Sequence, residues 1–235
     1  MKTFFYVSIL FNIVLLTVLF VCVYKHKDAK DHLDFSKYAS ENAKIKDTNN
    51  SDSIKLIFIG NSITANWINL RSSFFFENKF ANRGVGGQTS SQILLRFQQD
   101  VVDLGIKKVV LNAGINDIGE GDGFYNQQQT LRNIESMIAI ARQNDIQLIL
   151  SSVLPATDIY VNRFEKIADV QQKIEQLNKE ILNLAFQYDL VYIDYNTKLS
   201  NQDGTFKESY TFDGVHPNEA GYEIMESLVL QNINN

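Results

Sequence analysis

The chain has 235 residues, 45% hydrophobic and 21% charged, which suffices for one ordinary globular domain and leaves little for a second. A net charge of −5 without a dense Lys/Arg patch argues against nucleic acid as the main partner. Cys22 is the one cysteine, which excludes a disulfide framework and a thiolate metal site. His26 and His32 fall in a polar N-terminal stretch, so His216 alone serves the folded domain and a zinc site of several histidines is excluded.

Residues 3–24 are nearly all Phe, Val, Leu and Ile, interrupted by Ser8, Asn12 and Thr17. This length predicts a transmembrane anchor, or a signal segment, within residues 1–24. Bulky Val21 and Val23 flank Cys22 where a cleavage site needs small residues, so the anchor is expected to stay uncleaved. Lys2 lies on one side and Lys25, Lys27 and Lys30 on the other, a bias slightly toward a cytoplasmic domain. A short N-terminus running at once into an apolar stretch is nevertheless how exported domains are tethered, and the expectation is a single-pass anchor with an extracytoplasmic domain. Residues 25–53, rich in Lys, Asp, Asn and Ser, read as a solvated polar stalk.

Residues 54–235 alternate strand and helix. Ile54 to Ile59 is an apolar run that stops at Gly60-Asn61-Ser62, a buried strand emptying into a tight turn. An aromatic segment, 67–76, precedes a short second strand at 80–83 that ends in Gly84-Val85-Gly86-Gly87. A helix over 89–104 carries Ile93, Phe97 and Val101 on one face. The third strand, 107–111, closes with Asn112-Ala113-Gly114-Ile115-Asn116-Asp117, and the next helix bears Leu131, Ile134, Ile138 and Ala141. The fourth strand is 146–153, the longest helix runs roughly over 164–188, the fifth strand is 190–194, and Pro217 opens the last helix. Strands separated by helices of this length imply a parallel sheet with helices on both faces.

Four polar clusters follow strands or precede the last helix: Gly60-Asn61-Ser62, Gly84-Val85-Gly86-Gly87, Gly114-Ile115-Asn116-Asp117 and Asp213-Gly214-Val215-His216-Pro217. Singly, each has an ordinary explanation. Ser62 or Thr64 can cap a helix, the glycines can supply positive φ, Asn116 can be a turn residue, and His216 can sit on the surface. Together they meet the needs of ester hydrolysis by a serine: a base, a group that orients the base, and donors for an oxyanion. His216 can be the base and Asp213 its orienter, with Ser62 as nucleophile. The N–H groups of Ser62 and Gly87, with the Asn116 amide, can form an oxyanion hole. A dinucleotide loop fails on glycine spacing, a calcium loop at 117–123 lacks alternating oxygen ligands, and the turn lacks the second glycine of an α/β-hydrolase elbow.

In order and spacing, the four clusters resemble the consensus blocks of the SGNH hydrolases, also called the GDSL family, across essentially everything beyond the stalk. Gly60-Asn61-Ser62 resembles the nucleophile block, Asn82 to Thr89 the glycine block with Gly87 at the oxyanion position, Gly114-x-Asn116-Asp117 the asparagine block, and Asp213-x-x-His216-Pro217 the acid-base block. The resemblance implies a flavodoxin-like three-layer α/β/α sandwich with a five-stranded parallel sheet, and acyl hydrolysis without metal or cofactor. Asn61 stands where the family name expects aspartate, and Ile63 where leucine is common. Family members include sugar O-acetylesterases, lysophospholipases and thioesterases. The expected substrate is an O-acyl, foremost an O-acetyl, ester on carbohydrate. A lipid acyl hydrolase, an acyl transferase and a non-catalytic glycan- or lipid-binding domain are the alternatives.

Overall fold

The computed structural model describes residues 6, 11–23, 34–47, 54–121, 123–161 and 165–233. It divides into two compact units, Met1–Asp34 and Phe35–Asn235. In the first, residues 11–23 are helical and every side chain is exposed. The anchor expected over residues 3–24 lies in part outside the described residues. Among the described residues no helix is long and apolar enough to cross a membrane.

The second unit starts earlier than the stalk reading allows. Helix α1, Ala39–Asp47, buries Asn42 and Ile45 against the domain, so this part of 25–53 is not a solvated spacer. Polar partners explain the difference: Asn42 donates to Asp100 Oδ1 at 2.7 Å and accepts from Arg83 Nε at 2.9 Å.

Strand β1, Leu56–Gly60, is buried along its whole length, as expected of a central strand covered on both faces. Helices α2, Ser62–Leu70, and α3, Ser72–Asn78, follow, and then β2, Phe80–Gly84. Helix α4, Ser90–Asp100, is shorter than expected, because Val101 leaves helical geometry and a 3₁₀ turn, Val102–Leu104, carries the chain to Gly105 at φ +70°. Then come β3, Lys108–Asn112, the short α5, Ile115–Ile118, α6, Gln127–Gln143, and β4, Gln147–Ser151. A two-stranded antiparallel hairpin, β5 Tyr160–Val161 with β6 Glu165–Lys166, occupies ground read as the start of the longest helix. That helix, α7, Val170–Gln187, starts later than expected because Asp169 at φ +54° makes a left-handed turn just before it. Strand β7, Tyr192–Ile193, α8, Asn196–Leu199, and α9, Glu219–Asn232, complete the unit. Asn218 caps α9 by accepting from the Gly221 N–H at 3.0 Å, while Pro217 bridges to Thr211 ahead of it.

The sheet order is β2-β1-β3-β4-β7, all parallel. The strand order reverses at β1, with β2 added on one side and β3 on the other, and in doubly wound sheets the crevice beyond the carboxyl ends at that switch point receives ligands. Helices α4, α6 and α7 pack side by side on one face. On the other, α2 and α9 meet where Trp67 stacks on Tyr222 with centroids 5.4 Å apart. The aromatic segment is therefore core: Phe58 meets Trp67, Phe75 and Phe80 at 5.1, 5.5 and 5.6 Å. Gly84 admits α2 directly onto β2, since a Cβ there would lie 2.2 Å from the Ala65 nitrogen. Trp67→Ala is expected to cost about 3–5 kcal/mol, the usual loss for emptying a large aromatic site. Urea unfolding monitored by circular dichroism checks this, and a loss under 1 kcal/mol would contradict the packing described.

Candidate active site

Strand β1 delivers Gly60 and Asn61 to the carboxyl edge of the sheet, and Ser62 becomes the first residue of α2. Asn61 Oδ1 caps that helix by accepting from the Ile63 N–H at 3.0 Å. Asn61 is fully buried, so the amide provides the cap without placing a carboxylate charge in the interior. The Ser62 N–H, in the first turn, has no intrahelical acceptor and faces outward with the positive end of the helix dipole. The Gly60 carbonyl is held by the Val85 N–H at 3.0 Å and by Arg96 Nη2 at 2.8 Å.

Asp213 and His216 lie on the loop before α9. Its shape is fixed internally: Thr211 Oγ1 donates to the His216 carbonyl at 2.7 Å and accepts from the Gly214 N–H at 3.0 Å. Gly214 adopts φ +84°, and its carbonyl accepts from the Thr157 N–H at 2.8 Å. His216 Nε2 reaches Ser62 Oγ at 2.9 Å, and His216 Nδ1 meets Asp213 Oδ2 at 2.8 Å. A carboxylate only accepts, so Nδ1 carries the proton and Nε2 is left to accept from the serine hydroxyl. Asp213 Oδ1 accepts from the N–H groups of His216 and Val215 at 2.8 and 3.0 Å. Partial burial pushes the Asp213 carboxyl up, but these donors and the His216 ring outweigh it and hold the group below the usual carboxylate range.

Gly86 and Gly87 turn beside the serine. A Cβ on Gly86 would lie 4.0 Å from Ser62 Cβ, and Gly87 adopts φ +75°, which favours glycine. Asn116, in the first turn of α5, donates one Nδ2 hydrogen to the Gln88 carbonyl at 2.9 Å. An amide nitrogen carries two hydrogens, so one remains for a ligand. Ser62, His216 and Asp213 thus form one hydrogen-bonded line, and Asn116 is tied to the residue after Gly87.

Sequence reasoning missed the groups that hold this line. Arg96, fully buried on α4, links the Gly60 carbonyl to Gln88 Oε1, at 2.5 Å from its Nε, and pairs with Asp100 at 2.9 Å. Burial lowers its pKa, and the Asp100 carboxylate works against that. Asp117 accepts from the Ser90 N–H at 2.9 Å, from Ser90 Oγ, and from Thr130 Oγ1 at 3.1 Å, which locks the asparagine block to the start of α4. One signal was present for Arg96: a charged residue beside Ile93 and Phe97 on the inward face, four before an aspartate.

The sequence pattern of the GDSL-like lipase/acylhydrolase family matches residues 58–224, well over half of the chain. The chain belongs to this family. Among solved structures, a GDSL-like lipase from Bacteroides thetaiotaomicron VPI-5482 is 38% identical, with a TM-score of 0.78, over 85% of this chain and 97% of that one. The acetyl xylan esterase AlAXEase, at 22% identity and TM-score 0.62 over 76% of this chain and 98% of its own, shares the fold. The lipoprotein YqeF of Bacillus subtilis (strain 168) is 29% identical over 113 residues, 43% of this chain. The chain spans about half the length of that curated relative, 46%. As a GDSL-type acylhydrolase, the protein is a serine ester hydrolase on a five-stranded parallel α/β fold, as the sequence resemblance implied.

Proposed function

We propose that this protein is a membrane-attached serine esterase that removes short acyl groups, foremost acetyl, from carbohydrate outside the cytoplasm. The observation that carries the catalytic part is the line from Ser62 Oγ through His216 to Asp213, at 2.9 and 2.8 Å. Ser62 Oγ attacks the acyl carbonyl while His216 Nε2 takes its proton, and the Asp213 carboxylate stabilises the imidazolium. The oxyanion is met by the N–H groups of Ser62 and Gly87 and by the second Asn116 Nδ2 hydrogen. His216 returns the proton to the departing alcohol, and water then releases the acid by the same route in reverse.

The near neighbours of Ser62 are the His216 ring at 2.9 Å and side-chain-free Gly86, with the Asn116 amide tied to Gln88 two residues on. Such walls suit a small hydrophilic ester, whereas a long acyl chain needs apolar lining. Membrane attachment rests on the exposed apolar helix 11–23, on which Phe11, Leu16 and Phe20 are uncovered, and on the lipoprotein name of the Bacillus relative. Release of nitrophenol from acetyl, butyryl and palmitoyl esters tests the substrate reading: turnover should fall steeply beyond acetyl, and a palmitoyl optimum would move the assignment to lipid. Asn116→Ala should lower kcat by about 10²–10³ with little change in KM, the usual cost of one oxyanion donor. Full activity in that variant would remove Asn116 from the oxyanion hole.

A further inference from the structure

The glycine turn beside Ser62 has no side chains of its own to fix it. Gly86 and Gly87 are half-buried, and glycine gives the backbone the widest conformational freedom. The position of the Gly87 N–H is therefore set from the two ends of the turn. On the far side Gln88 is held by Arg96 and Asn116. On the near side stands Gly84, the last residue of β2, and β2 is an edge strand whose outer backbone groups have no strand to pair with.

Segment 35–47 fills that edge. Tyr38 Oη donates to the Gly84 carbonyl at 2.6 Å, and Lys37 Nζ donates to the same oxygen at 2.9 Å. The fully buried Arg83 guanidinium lies 4.7 Å from the Tyr38 ring centroid and bonds Glu41 at 3.0 Å, Asn42 at 2.9 Å and the Asn82 carbonyl at 2.7 Å. From Asn42 the network runs through Asp100 and Arg96 to the Gly60 carbonyl, two residues before Ser62. Burial pushes the Tyr38 hydroxyl up to about 12, against the pull of Arg96 and Arg83, so it stays a donor through the neutral range.

We propose that Lys37 and Tyr38, which precede the catalytic domain as its sequence defines it, are positioning residues for acyl transfer: by holding the Gly84 carbonyl they set the Gly86–Gly87 turn against Ser62. This rests on the esterase reading above. Donors to an oxyanion act only within a few tenths of an ångström of their place, so a slackened turn lowers kcat while the ground-state ester still binds.

The test uses the full-length chain with p-nitrophenyl acetate, and active sites are counted by titration with a fluorophosphonate. The Lys37→Met/Tyr38→Phe double variant should lose about tenfold or more in kcat per titrated site with KM nearly unchanged, because small misplacements near the reacting atoms cost up to about 10²-fold. Each single variant, which keeps one donor on Gly84, should lose about threefold, and serves if the double variant does not fold. Lys46→Met, on the helix that follows but paired with Asp103 at 3.1 Å on the surface, should match wild type. Unchanged kcat per titrated site, or a loss confined to the number of titratable sites, would overturn the positioning role. A wild-type chain without Ser62-dependent turnover would overturn the esterase reading and this inference with it.

Discussion

Replacing Ser62 by alanine is expected to lower kcat on p-nitrophenyl acetate by about 10⁶-fold, with a folded protein and an unchanged melting temperature. The size follows from the role. Without Oγ there is no acyl-enzyme, and only binding and the oxyanion donors are left to act on a water attack. His216→Ala should cost about as much, since Ser62 Oγ then has no base at 2.9 Å, and the double variant should be little worse than either single one. Additive losses would mean that the two residues do not act as a unit. Ser62 is half-buried at a helix start and His216 is partly exposed, so neither truncation empties a core site, and the expected effect is on rate.

Asp213→Asn should lower kcat by about 10⁴-fold while leaving the loop intact. The amide can keep accepting from the His216 and Val215 N–H groups, now at 2.8 and 3.0 Å, but no longer enforces the Nδ1–H tautomer or balances an imidazolium. In the wild type the Asp213 carboxyl sits below the usual range, so its stabilising contribution is complete above the unfolded-state value. That contribution is lost only as pH falls through the lower folded value, and Asp213→Asn should lack it at every pH. Thermal unfolding of both proteins from neutral into acid pH checks the direction, and a wild-type loss of stability on acidification no larger than that of Asp213→Asn would contradict the pairing.

How much of this was legible in the sequence depends on where each element finds its partners. Strands β1, β3 and β4 could be read because buried parallel strands are apolar runs that stop at glycine, asparagine or serine, whereas β2, Phe80-Ala81-Asn82-Arg83-Gly84, was marked by the glycines that follow it. The fifth is only Tyr192–Ile193, two residues that pair with Leu150 and Ser151 of β4. The longest helix kept its buried Val170, Ile174, Leu177, Ile181 and Leu184, but its start was misplaced by a hairpin whose two-residue strands carry no periodicity. The polar clusters could be found because each ends a strand or precedes a helix. Their supports could not: Arg96 and α1 are buried through polar partners distant in sequence, the role of Asp117 in its block depends on Ser90 and Thr130, and a helix with two buried positions looks like a stalk until Arg83 and Asp100 are placed against it.

The most direct test of the central claim is covalent. The full-length chain is treated with a fluorophosphonate, digested and mapped by mass spectrometry. One adduct per chain is expected on the peptide containing Ser62, absent in Ser62→Ala and formed far more slowly in His216→Ala. An adduct on another residue, or none on protein shown to be folded, would contradict it.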